Sequence, residues 1–179
     1  MMKKPSPLVS IGIRNGVVAG VLIILLLMAT YYFFGRHPLM VSPFMDFRVL
    51  LFGVFIFFTL KEFREDYQGG ALYFWQGMMG SFVLIMITGT IASLLLLVFC
   101  SYESAFIADY VKAMTEYLKT FPQEDIGRIG KEVYQRNLDQ LPSTNGKQLA
   151  GLYFVQSLMI GFFVSIILSV ILRKEPKPQ

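Results

Sequence analysis

Three long apolar runs divide this chain of 179 residues, and no charge interrupts any of them. Lys, Arg, Asp and Glu are missing from the 21 residues between Arg14 and Arg36, the 36 between Asp66 and Glu103, and the 25 between Lys147 and Arg173. A hydrocarbon core about 30 Å thick takes roughly 20 helical residues, so each run is long enough to span it. The first is expected to be a helix over about 14–35, with Tyr31 and Tyr32 at the far interface. It has the outline of a signal peptide, but its length and the lack of a small-x-small site near Met28 favour a retained helix.

A second span, over about 43–63, is marked by its boundaries more than by its apolar content, since only 12 uncharged residues separate Arg48 from Lys61. Ser42 suits a cap, Pro43 the first helical position, and Asp46 the positive end of the helix dipole. Arg48 is expected to snorkel outward to the interface. The 36-residue silence would measure about 54 Å as one helix, too long for a bilayer. The third span is therefore placed over about 75–100, with Tyr73, Phe74 and Trp75 entering at the interface. The fourth, about 148–172, has Asn145 and Gln148 at capping-box spacing before it and Arg173-Lys174 after it.

Between the last two spans the polarity changes. Residues of about 102–142 read as two amphipathic helices, the first with Phe106, Tyr110, Met114 and Tyr117 at helical spacing, the second opened by Pro122 with Ile126, Ile129 and Val133. The first stripe is either core or a face for a partner. The expected architecture is all-α: an integral membrane four-helix bundle, one domain over 1–179, with an extramembrane two-helix insert between spans three and four.

Within the runs, small residues recur every four positions. Gly12, Gly16 and Gly20 start the first span; Gly77, Ser81 and Gly89 lie on the third; Ser157, Gly161 and Ser165 lie on the fourth. Such glycine-zipper stripes let helix backbones approach closely where lipid supplies no hydrophobic force between helices. Spans three and four also match at an offset of 80, Tyr73-Phe74 with Tyr153-Phe154 and Gln76 with Gln156. The match is either an inverted duplication or the common demand of two interfacial helix starts.

Composition agrees with a membrane protein: 55% hydrophobic and 16% charged residues. The net charge of +4 does not indicate nucleic acid, because many of the Lys and Arg flank the apolar runs. They divide evenly between the two sides; those near one end crowd beside helix ends, which places both termini in the cytoplasm. The single Cys100 excludes an internal disulfide.

Candidate chemistry is sparse. No titratable side chain falls in the middle of a run, which lowers the case for an ion-coupled carrier, and the lone His37 cannot build a zinc site of the usual kind. Asp46 with His37 could form an acid/base pair, but no nucleophile lies near in sequence. Gln76 and Gln156 are the strongest polar contacts near the membrane. No cofactor and no catalytic residue is expected.

Lys61-Glu62-Phe63-Arg64-Glu65, Tyr67-Gln68-Gly69-Gly70, Phe74-Trp75-Gln76-Gly77 and the closing Ile171-Leu172-Arg173-Lys174 together resemble the bacterial domain-of-unknown-function family 4199. The resemblance implies a small four-span protein of the cell envelope, found mainly in Bacteroidota, with a helical insert before the last span and no established activity. The expected role is non-enzymatic, through packing with a second copy or an unidentified membrane protein in the inner membrane. A small transporter or channel subunit is the alternative.

Overall fold

A computed structural model describes residues 6–35, 37–42 and 45–175. Seven α-helices are present among them: α1 (Pro7–Phe34), α2 (Phe47–Glu62), α3 (Phe74–Tyr102), α4 (Ser104–Lys119), α5 (Gln123–Ile129), α6 (Lys131–Gln140) and α7 (Gly146–Leu172). Three of them, α1, α3 and α7, are long and apolar enough to cross a membrane. At 28, 29 and 27 residues they measure about 40–44 Å, enough for the hydrocarbon core and part of each headgroup layer.

The second predicted span differs from expectation. Its helix starts at Phe47, because the Asp46 carboxylate accepts the Arg48 backbone N–H at 2.8 Å and so caps it there. Pro43 lies outside the described residues. The resulting 16-residue α2 is about 24 Å long, and a π-helical turn over Phe63–Tyr67 continues it. Gly69 and Gly70, both at positive φ, then reverse the chain into α3.

The insert also differs, having three helices where two were expected. Gly130 takes φ +96°, a conformation other residues rarely adopt, and it separates α5 from α6 where one stripe had suggested a continuous helix.

α1 and α3 run parallel, α3 and α7 antiparallel, and α2 lies against α1 and α7. Phe52, Ile56 and Leu60 project from one face of α2 into the core with Ile23, Leu27, Leu84 and Leu96. The opposite face shows Leu50 (70% exposed), Val54 and Phe58. With the exposed Val18 and Leu25 on α1, Phe82 and Leu94 on α3, and Phe163 and Ile167 on α7, they form an apolar belt around the bundle. Exposed aromatics bracket it: Tyr67, Tyr73, Phe74 and Trp75 at one end, Tyr32, Phe33, Phe34 and Tyr102 at the other. At the first end Leu72 and Lys174 exchange two backbone hydrogen bonds, tying the chain beyond α7 to the turn before α3.

The small-residue stripes are the seams of this bundle. A Cβ added at Gly16 would sit 3.0 Å from the Leu84 carbonyl, and one at Gly20 would sit 2.9 Å from Ile91 Cβ. By contrast, a Cβ at Gly53 of α2 would meet nothing within 4 Å. Gly20→Ala should therefore cost about 1–3 kcal/mol of unfolding free energy through overpacking. Gly53→Ala should be neutral or gain up to about 1 kcal/mol from helix propensity. Reversible unfolding in mixed micelles measures both.

Candidate functional site

The densest polar centre lies where α2 meets α7. Arg48 is the second residue of α2, two positions after the Asp46 cap, and its side chain is placed against Tyr153, Gln156 and Ser157 of α7. It does not snorkel outward. Only 2% of the residue is exposed, and its ion-pair partner Asp46 is equally buried. Every one of the five guanidinium N–H groups has an acceptor. Nε and one N–H of Nη2 donate to Asp46 Oδ2, the other N–H of Nη2 to Gln156 Oε1 at 3.1 Å, and Nη1 to Ser157 Oγ at 3.0 Å and the Tyr153 carbonyl at 3.3 Å. The guanidinium carbon also lies 4.2 Å from the centre of the Tyr153 ring. A saturated, neutralised pair of this kind holds two helices together; it has no donor left for an anion and no proton poised for transfer. The Tyr153 hydroxyl beside it is buried without a partner.

Apart from Ser81, the predicted small residues face another helix of the same chain. Gly12 meets Val83, and Gly16 and Gly20 meet Ile87 and Ile91, while the Thr88 hydroxyl donates to the Gly16 carbonyl at 3.1 Å. Gly77 meets Ser169, Gly89 meets Phe154 and Ser157, and Gly161 meets Ile85. Ser81 is buried with its hydroxyl unpartnered, and the Ser165 hydroxyl donates to the Phe162 carbonyl at 2.7 Å. The offset of 80 carries Gly77 to Ser157 and Gly89 to Ser169. Since Gly77 packs on Ser169 and Gly89 on Ser157, the α3–α7 seam has a local pseudo-two-fold. Gln76 and Gln156 nevertheless do different work: Gln76 accepts the Tyr73 backbone N–H and caps α3, and Gln156 accepts from Arg48.

The aromatic stripe of α4 divides. Phe106 and Tyr110 are buried under the end of the bundle, Met114 is half-buried, and Tyr117 is exposed. The first two close on His37, whose ring centre lies 4.4 Å from that of Phe106 and 5.4 Å from that of Tyr110. His37 and Asp46 form no acid/base pair, since each is engaged elsewhere. Beside the imidazole a cavity of about 470 Å³ opens between α1 and α4, edged by Tyr31, Tyr32, Glu103, Asp109, Lys112 and Glu116. Tyr31 donates to Asp109 at 2.8 Å and Tyr32 to Glu103 at 3.3 Å. No group of three or more metal-ligating side chains gathers among the described residues.

Sequence reasoning missed the Arg48 centre. The signal was present in Asp46-x-Arg48 at a helix start, followed by an apolar stretch with no other basic residue to share an interfacial role. Removing one partner of such a pair leaves the other buried and uncompensated, so Arg48→Met should cost about 3–5 kcal/mol. Adding Asp46→Asn, which keeps the cap, should recover more than half of that loss. Tyr153→Phe keeps the ring and removes an unpaired hydroxyl, so it should not destabilise. A double-mutant cycle from unfolding curves checks all three.

Comparison with curated proteins and with solved structures finds no match. The family that does match is described as "Protein of unknown function (DUF4199)", over residues 14–174, which is most of the chain and takes in the Arg48 centre, the α3–α7 seam, all of the α1–α3 seam but Gly12, and the insert. The chain belongs to the DUF4199 family.

Proposed function

We propose that this protein is a bacterial inner-membrane protein of four spans, both termini cytoplasmic, that catalyses no reaction and acts by presenting its α4–α6 insert to another membrane protein or to a second copy. The single observation that carries this reading is the division of its surfaces. The glycine and serine stripes, which would be the natural means of association in a membrane, are spent inside the chain. The insert instead leaves Tyr117, Ile129 and Val133 exposed in a segment otherwise rich in charge. A four-span arrangement is supported by α2 lying in the bundle with Leu50, Val54 and Phe58 in the apolar belt, and by the π-helical turn lengthening it to 21 residues. The arithmetic is 16 residues of α2 plus 5 of the turn, about 32 Å if counted at the α-helical rise.

The alternative, a small transporter or channel subunit, has one observation in its favour: the pseudo-two-fold of the α3–α7 seam, the kind of relation inverted-repeat carriers use. The two readings separate experimentally. Photo-crosslinkers at Tyr117 and Val133 in the native host should yield a defined adduct, with a second protein or with itself, while one at Leu50 yields lipid adducts only. No adduct from the insert, together with specific flux in liposomes, would replace the first reading with the second. Topology is checked by single cysteines at Met45 and Lys61 in a Cys100→Ser background, which should label from opposite faces of the membrane. Labelling from one face would remove α2 from the spans.

A further inference from the structure

We propose that His37 is an acid-sensitive latch that docks the insert onto the bundle: the neutral imidazole holds α4 down, and protonation releases it. The latch is separate from the choice of partner and stands whether or not the insert binds one.

The hydrogen bonds fix the protonation state that fits. Leu39 N–H donates to His37 Nδ1 at 3.3 Å, so Nδ1 carries a lone pair. His37 Nε2 lies 3.1 Å from the Phe106 carbonyl, which can only accept, so Nε2 carries the proton. Both bonds exist together only in the neutral Nε2–H tautomer. A second proton would set Nδ1–H against Leu39 N–H and leave two buried donors facing each other.

The same ring is the centre of the packing that holds α4. His37 is 8% exposed, and the Phe106 it touches is fully buried, also lying 5.0 Å from Tyr31 and 5.3 Å from Phe99 between ring centres. His37 and Phe106 join the short loop after α1 to the first turn of α4, so one imidazole secures both the backbone and the aromatic face of the insert.

The groups facing the ring work in both directions. From α4 come Asp109, Tyr110, Lys112 and Glu116; from the α3–α4 junction comes Glu103; from α1 come Tyr31 and Tyr32. Arg36, the chain neighbour, lies outside the described residues. Burial lowers the imidazole's tendency to hold a proton, opposed by the Phe106 carbonyl and the charge of Asp109. The sign follows: the docked state binds the proton less readily than a free histidine does. The latch is therefore fully effective above the ordinary value of about 6.5 and weakens as pH falls below it. The adjoining cavity supplies somewhere for the cation to go, since its carboxylates Glu103, Asp109 and Glu116 outnumber Lys112.

Because His37 is the only histidine, protein labelled with [15N]histidine and carrying a tag without histidine reports one imidazole. Full-length protein in nanodiscs is followed by this signal and by hydrogen exchange, corrected for intrinsic rates, with α7 as internal reference. Between pH 7.5 and 5, α4 should lose at least tenfold in protection relative to α7, with the imidazole titrating over the same interval and below the ordinary value. His37→Phe, which keeps a ring, should abolish the pH dependence whatever its absolute protection; if it does not fold, Asp109→Asn should retain the loss. Unchanged α4 protection in the wild type overturns the proposal. So does a pH-dependent loss that persists in His37→Phe or disappears in Asp109→Asn, which would assign it to the carboxylates.

Discussion

A lipid environment gives apolar helices no reason to leave it for one another, and everything in this protein follows from how that is overcome. α3 is the strut. On one side it receives the backbone of α1 through Gly12, Gly16 and Gly20, on the other the backbone of α7 through Gly77, Gly89 and Gly161. Glycine at these positions brings backbone and side chain within van der Waals distance along several turns, so that dispersion and the Thr88-to-Gly16 hydrogen bond supply what the hydrophobic effect cannot.

α2 lacks such a stripe and is held differently. Its Arg48 reaches α7 with all its donors engaged, while Asn15 of α1 donates to Thr59 at 2.8 Å on the other side. A buried charge is a weak source of stability against an apolar alternative but a strong selector of register, because sliding α2 by one turn would carry the Arg48–Asp46 pair away from Gln156, Ser157 and the Tyr153 carbonyl and leave three guanidinium N–H groups without acceptors. The insert is held by a third device, the aromatic cluster around His37. Packing, ion pairing and a titratable aromatic contact thus each secure one part of the fold, and the last is the one that the medium can change.

The three long apolar helices and the stripes were legible because they rest on periodicity and on charge, which the sequence displays directly. The cap at Asn145 and Gln148 was legible for the same reason: both of its reciprocal hydrogen bonds are local, at 3.1 and 2.9 Å. What could not be read was anything that depends on which helix neighbours which. Arg48 looked interfacial because its acceptors on α7 lie more than a hundred residues away. The stripes gave no sign of whether they would meet another chain or their own. The continuous second helix of the insert failed on Gly130, whose positive φ a polar, glycine-containing sequence permits without requiring.

The most direct test of this account asks whether the α3–α7 seam closes within one chain. Two differently tagged copies are expressed together in a Cys100→Ser background, one with Gly77→Cys and the other with Ser169→Cys, and compared with a single copy carrying both. Mild oxidation in membranes should form the disulfide only in the double-cysteine chain, as an intramolecular bond. A disulfide joining the two tagged copies would show that the stripes pair between molecules and would contradict the account.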